Sequence, residues 1–122
     1  MPTIKNVLIV EDESLLADTL KTALFREGLT ATVEPNGKKA LHRLGIEKFD
    51  LVLLDLVMPH MDGFETLQHL KGVKDTPPIV VLTNLSQPDD IHRAEKLGAR
   101  KVLVKAEVNL EKIVTEIKSI LA

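Results

Sequence analysis

Short apolar segments rich in Val, Leu and Ile recur along the chain, and each is long enough to be a β-strand. Outside residues 29–33, most of their positions are apolar, so these segments do not alternate with polar residues as a half-exposed strand would. This pattern predicts strands that are covered on both faces of a sheet. The segments are residues 7–10, 29–33, 50–55, 79–83 and 101–104, of which 29–33 is the weakest.

The residues between these segments carry apolar side chains at helical spacing. The two clearest stripes are Leu16, Leu20, Ala23 and Leu24 in the first helix and Leu110, Ile113, Val114, Ile117 and Leu121 in the last. Weaker stripes are Ala40, Leu41 and Leu44, then Phe64, Leu67 and Leu70, then Ile91, Ala94 and Leu97. Glycines that we expect to cap the helix C-termini are Gly28, Gly45, Gly72 and Gly98.

Regular alternation of strands and helices predicts an α/β fold. Such a chain forms a doubly wound parallel sheet, with right-handed crossovers and helices on both faces. A length of 122 residues fits one domain, and we find neither a linker nor a low-complexity segment. We therefore expect residues 1–122 to form a single domain.

Composition narrows the possible functions. The absence of cysteine excludes disulfides, thiolate metal sites and a cysteine nucleophile. A net charge of -2 and the absence of Trp and Tyr offer neither a basic surface nor stacking platforms for nucleic acid. Because no apolar run approaches the length of a membrane span, we expect a cytoplasmic protein that binds neither nucleic acid nor membrane directly.

Polar residues follow the predicted strands, at the edge where parallel sheets bind ligands. They are Glu11, Asp12 and Glu13 after the first strand, Asp55 after the third, Thr83 in the fourth and Lys105 after the fifth. Crowded carboxylates repel one another, which favours a bound cation. Oxygen ligands without His or Cys indicate a hard ion such as Mg²⁺. With Thr83 and Lys105 available to contact an anion, the pattern predicts a phosphoryl site beside a metal ion.

Each of these residues, taken alone, also has an ordinary structural explanation. The acidic triplet could stabilise the start of the next helix, with Asp12 or Ser14 as its cap. Lone carboxylates, lysines and threonines at strand ends are commonly surface residues, but their convergence on one edge favours a site. The histidines show no metal-ligand spacing and are expected to be exposed, and only His60 could approach the site. They are His42, His60, His69 and His92.

The segments LIVEDE, LVLLDLVMPHMDG, VVLT and LVK, in this order, resemble the receiver domain of two-component response regulators, the CheY-like superfamily. The resemblance covers essentially the whole chain and implies the strand order 2-1-3-4-5. It implies that Asp55 accepts a phosphoryl group and that Thr83 and Lys105 contact it. The metal ligands that it implies for Mg²⁺ are Glu11, Asp12, Asp55 and the backbone carbonyl of Val57.

The resemblance also implies partners and a reaction. A sensor histidine kinase or histidine phosphotransfer protein would donate the phosphoryl group, and the modified protein, a monomer or weak dimer, would bind a downstream protein target. The domain would catalyse its own phosphorylation and dephosphorylation without being a conventional enzyme. An aspartate is ordinarily ionised at pH 7, so it attacks phosphorus without a general base and forms an acyl phosphate. Leu15 and Leu16 are adjacent on the first helix, so one of them must lie off the core. Docking of the donor by that residue is a hypothesis, and an ordinary first-turn position is the favoured interpretation.

Three positions depart from the family pattern. Ala106 follows Lys105 where the family usually has a cis proline, so this bond could be cis or trans, and a trans bond would re-aim Lys105. Val102 replaces the usual aromatic switch residue. Asn84 replaces a small residue beside Thr83 and could narrow access to Asp55 or hydrogen-bond the phosphoryl group.

These departures leave one rival interpretation open. The chain could be a pseudo-receiver, a protein-protein interaction module that acts without phosphorylation, although no acidic residue or lysine of the family site is missing. Two enzyme-like alternatives are disfavoured by named residues. A flavodoxin-like protein is disfavoured because Glu11, Asp12 and Glu13 would repel the flavin phosphate. A haloacid dehalogenase-like phosphatase is disfavoured because Val57 occupies the place of its second Asp.

Overall fold

The computed structural model describes residues 3–122, whose strands form a single parallel sheet in the order β2-β1-β3-β4-β5. The strands are β1 Asn6–Val10, β2 Thr30–Glu34, β3 Leu51–Leu54, β4 Ile79–Thr83 and β5 Lys101–Val104. Every neighbouring pair is parallel. The predicted doubly wound fold and its strand order 2-1-3-4-5 are therefore confirmed.

Helices connect the strands and cover both faces of the sheet. They are α1 Ser14–Arg26, α2 Gly37–Ile46, α3 Gly63–Lys71, α4 Pro88–Lys96 and α5 Leu110–Leu121, with a short 3₁₀ helix, Lys105–Glu107, after β5. Three of the helices begin at a side-chain cap in which an Asn or Asp oxygen accepts a backbone N–H three residues on. These capping residues are Asn36, Asp62 and Asn109.

Two apolar layers enclose the sheet. Leu8, Val52 and Val81 pack under α2, α3 and α4, whereas Val7 and Leu53 pack under α1 and α5. Because β1, β3 and β4 are inner strands, nearly all their residues are buried, which explains their continuous apolar sequence. Strand β2 lies at an edge and is only half-buried, hence its weak pattern. No helix in residues 3–122 combines the length and apolar character needed to span a membrane.

The first two predicted strands are each off by one residue, because β1 begins at Asn6 and β2 runs from Thr30 to Glu34. Two further element ends also need correction. Strand β3 is shorter than residues 50–55, because Asp50 and Asp55 flank it and bond to β1 from outside the ladder. Gly45 does not cap α2: the helix continues to Ile46, and the Glu47 N–H still donates to the Arg43 carbonyl at 3.0 Å. The remaining glycines do lie at helix ends. Gly28 and Gly98 adopt φ of +82° and +109°, and Gly72 caps α3 in the right-handed region.

Candidate functional site

A cluster of carboxylates lies where β1 and β3 end side by side. Val10 pairs with Leu54, so the residues that follow these strands become neighbours. Glu11, Asp12 and Asp55 each offer a carboxylate oxygen, and these oxygens lie within 4.8 Å of one another. Glu11 and Asp55 are only 3% and 5% exposed, whereas Asp12 is exposed. The structure therefore brings together three of the four carboxylates predicted at the strand ends, and Glu13 lies outside this cluster.

The ammonium group of Lys105 lies against this cluster. Lys105 Nζ is 2.8 Å from Glu11 Oε1, 3.2 Å from Asp55 Oδ2 and 3.2 Å from Glu13 Oε2. Peptide bonds within the described residues are all trans, including the bond before Ala106, and Lys105 still contacts Asp55. Burial by itself would lower the pKa of Lys105, but its bond to Glu11 and the charges of Asp55 and Glu11 raise it overall. Lys105 is thus held as a cation.

Burial in the site perturbs the carboxyl group of Glu11. Burial raises the pKa of Glu11, its bonds to Lys105 and to the Glu13 N–H lower it, and the Asp55 charge raises it; the net result is a pKa of about 7. Its Oε2 accepts the Glu13 backbone N–H at 3.2 Å. A buried carboxylate of this kind is stabilised in its ionised form by any added positive charge. The site therefore favours a cation.

Backbone contacts fix the loop that carries Asp55. The Val57 N–H donates to Asp55 Oδ1 at 3.2 Å, and the Gly63 N–H donates to the Leu56 carbonyl at 2.9 Å. A Cβ at Gly63 would collide with the Asp55 carbonyl oxygen and lie 2.5 Å from Leu56 Cα. Only glycine allows α3 to begin this close to Asp55. The local sequence contains no sign of this tertiary contact, so the role of Gly63 could not be predicted from it.

Thr83 lies at the same sheet edge, at the end of β4 next to β3. It is fully buried, and its Oγ1 accepts the Leu85 N–H at 3.2 Å, which leaves the hydroxyl proton available for donation. Asn84 is exposed. Val102 is half-buried and packs against the apolar layer beneath α2, α3 and α4. The roles predicted for these residues and for the Val57 carbonyl stay predictions.

Two alternatives from the sequence can be checked against the contacts. Glu13 is the N-cap residue of α1, and no side-chain capping bond is formed there, so neither Asp12 nor Ser14 caps the helix. The four histidines are exposed, as predicted; His60 lies in the loop after Asp55 with φ of 69°. The acidic triplet is therefore explained better by the lysine and the cluster than by helix capping.

Comparison with known proteins decides the family. A sequence model of the response regulator receiver domain matches residues 7–118. The chain belongs to the response regulator receiver domain family. This agrees with the sheet order and with the acidic cluster at the ends of β1 and β3.

Individual relatives support the same assignment. The Regulator of RpoS from Escherichia coli (strain K12) is 33% identical over 109 residues, which cover 89% of this receiver domain and 32% of that protein. The receiver domain of a histidine kinase from Syntrophus aciditrophicus is 34% identical with a TM-score of 0.87, covering 96% of this chain and 89% of that one.

A third relative was solved with ligands in place. TrrA from Thermotoga maritima, in complex with Mg²⁺ and beryllium fluoride, is 29% identical with a TM-score of 0.84, covering 96% of this receiver domain and 99% of that chain. The receiver domain spans about a third to a half of the length of the first curated relatives.

Proposed function

We propose that this receiver domain accepts a phosphoryl group on Asp55 in a Mg²⁺-dependent reaction, and that phosphorylation switches its binding to a downstream protein. One observation carries the proposal: the Asp55 carboxylate lies 3.2 Å from the Lys105 ammonium and within 4.8 Å of the Glu11 and Asp12 carboxylates. Nucleophile, cation and metal-binding oxygens thus occur in one small site.

The carboxylates fit Mg²⁺ because they are hard oxygen donors close enough to share one ion. Glu11, Asp12 and Asp55 would hold it, together with the Val57 carbonyl. When bound, Mg²⁺ supplies positive charge that offsets the acidic cluster and the charge of the transferring group.

The protein's own residues orient and stabilise the reacting groups. Val57 N–H and Lys105 Nζ each bind one oxygen of Asp55, which fixes the carboxylate plane. An Asp55 oxygen forms the new bond to phosphorus while the phosphorus–nitrogen bond of a donor phosphohistidine breaks and its electron pair stays with the imidazole. Lys105 then stabilises the phosphoryl oxygens, and the Thr83 hydroxyl donates a hydrogen bond to one of them.

The proposed donor is a sensor histidine kinase or a histidine phosphotransfer protein. Leu15, at 81% exposure, is the member of the Leu15–Leu16 pair that lies off the core, which supports docking of a donor helix beside the site. Leu15→Asp should then slow transfer from a phosphotransfer protein. Phe25→Asp, at the far end of α1 and 73% exposed, is the matched control. Equal transfer by both variants would remove Leu15 from the docking surface.

We further propose that residues 1–122 form a single receiver domain in the cytoplasm, monomeric or weakly dimeric. The rival function is a pseudo-receiver that binds partners without phosphorylation. A phosphoacceptor and a pseudo-receiver are both expected to fold, but only the phosphoacceptor is expected to respond to phosphoryl analogues.

The test is the thermal midpoint of unfolding with Mg²⁺, with and without beryllofluoride, a stand-in for the phosphoryl group. A ligand that binds only the folded state raises the midpoint. We expect a Mg²⁺-dependent rise in the wild type and none in Asp55→Ala. Asp62→Asn is the control, because it removes an exposed carboxylate from the same loop and keeps a good N-cap. No rise in the folded wild type would favour the pseudo-receiver.

A further inference from the structure

The ammonium group of Lys105 already contacts three carboxylates in the unphosphorylated protein. A lysine ammonium has three N–H donors. Here the three carboxylates around Nζ are Glu11 at 2.8 Å, Glu13 at 3.2 Å and Asp55 at 3.2 Å. A phosphoryl oxygen that binds Lys105 must therefore compete with one of them.

These contacts differ in how much it costs to break them. Glu11 and Asp55 are buried members of the acidic cluster, so loss of the ammonium would leave a buried carboxylate without its partner. The Glu13 side chain is 60% exposed and lies outside the cluster, so water solvates it on release. Glu13 is therefore the least costly partner of Lys105 to displace.

We propose that Glu13 restrains Lys105 and competes with the phosphoryl oxygens for it, so that Glu13 weakens the phosphorylated state. The inference rests on the proposed function. Glu13 and Asp55 contact the same ammonium group, so the negative charge of Glu13 also repels an anion that is added at Asp55. Glu13 acts through Lys105 and is a positioning residue that sets how readily the domain is activated.

The test is the affinity for beryllofluoride at saturating Mg²⁺, obtained from thermal midpoints over a concentration series. Glu13→Gln keeps the side-chain size and removes the charge. We expect it to bind beryllofluoride about two- to fivefold tighter than the wild type, the effect of one ion pair with an exposed partner. Glu107→Gln removes the same charge from an exposed residue two positions after Lys105, where the described residues provide no ion pair. We expect this control to match the wild type.

Two further measurements separate the restraint from a general effect on the fold. Mg²⁺ affinity without beryllofluoride should not rise in Glu13→Gln, because removing a negative charge cannot strengthen cation binding. Glu13→Asp keeps the charge but shortens the side chain away from Lys105, and should show intermediate beryllofluoride affinity.

The outcomes distinguish the two proposals. Failure of the wild type to respond to beryllofluoride would overturn the proposed phosphoacceptor function. A wild type that responds, with Glu13→Gln no tighter than Glu107→Gln, would overturn the role of Glu13 alone.

Discussion

The two ends of the sheet use polar groups in opposite ways. At the end where the strands begin, Asn6 and Asp50 form a reciprocal pair: the Asn6 N–H donates to Asp50 Oδ2 at 2.7 Å, and the Asp50 N–H donates to the Asn6 carbonyl at 2.8 Å. At the end where the strands stop, carboxylates gather around one ammonium group, that of Lys105.

This difference separates stability from function within one set of strands. Hydrogen bonds at the first end satisfy backbone groups that would otherwise cost free energy. Carboxylates at the second end exceed the positive charge of Lys105, so they leave the site ready for an added cation. Mutations at the first end should change stability alone, whereas mutations at the second should change how stability responds to ligands.

The largest effect is expected from Lys105→Met. It leaves Glu11 and Asp55 buried without their ammonium partner, so we expect the free energy of unfolding without Mg²⁺ to fall by about 3 kcal/mol. Mg²⁺ should recover much of this loss, since it supplies positive charge to the same carboxylates. Urea unfolding with and without Mg²⁺ measures both values.

Lys101→Met is the control, because Lys101 is an exposed lysine 3.9 Å from Glu116. Its free energy of unfolding should fall by less than about 1 kcal/mol. If Lys105→Met lost the same free energy of unfolding with and without Mg²⁺, this would contradict an excess of carboxylate charge at the end where the strands stop.

Gly63→Ala should have the next largest effect. The added methyl group meets backbone atoms of Asp55 and Leu56, which cannot rotate away. We expect the free energy of unfolding to fall by about 2 kcal/mol and the beryllofluoride response to weaken, because α3 must move away from the Asp55 loop.

Gly45→Ala is the opposite case. Gly45 lies within α2 with nothing within 4 Å of the new Cβ, so the free energy of unfolding should rise by up to about 1 kcal/mol. Thermal unfolding of both variants, with and without ligand, measures these effects. Similar changes of the thermal midpoint in Gly63→Ala and Gly45→Ala would refute the close approach of α3 to the Asp55 loop.

Asp50→Ala tests the other end of the sheet. Removal of the acceptor for the Asn6 N–H should cost about 1.5 kcal/mol, because a part-buried donor loses a charged partner. Affinity for Mg²⁺ and for beryllofluoride should equal that of the wild type. A tenfold change in either affinity would show that the two ends are coupled rather than separate.

Asp12→Asn should have the smallest effect on the unligated protein. Asp12 is exposed, so stability without Mg²⁺ should stay within about 0.5 kcal/mol of the wild type. The rise of the thermal midpoint with Mg²⁺ concentration should be lost, since one of the three proposed carboxylate ligands has lost its charge. A preserved Mg²⁺ response would exclude Asp12 as a ligand.

Much of this arrangement could be predicted from the sequence. Continuous apolar segments indicate covered parallel strands, and the ends of such strands necessarily share one edge, which brings Asp55 near Glu11 and Asp12. The strand order came from the resemblance to receivers. The prediction that α2 ends at Gly45 was wrong, because one glycine within a helix costs only about 1 kcal/mol, which neighbouring contacts can offset.

The contacts that depend on exact distances could not be predicted. Glu13 was expected to belong to the acidic triplet, but its contact with Lys105 depends on where the 3₁₀ helix after β5 places the ammonium group. Likewise, the collision that excludes a side chain at Gly63 depends on how closely α3 approaches the loop after β3. Such distances follow from tertiary packing and leave no local pattern in the sequence.

The most direct test of the central claim is to locate the acyl phosphate. The protein is incubated with acetyl phosphate and Mg²⁺ and then reduced with borohydride, which converts a phosphorylated aspartate to homoserine that peptide mass spectrometry can locate. We predict conversion at Asp55 in the wild type and none in Asp55→Asn. Conversion at another carboxylate, or none in a folded wild-type protein, would contradict the account.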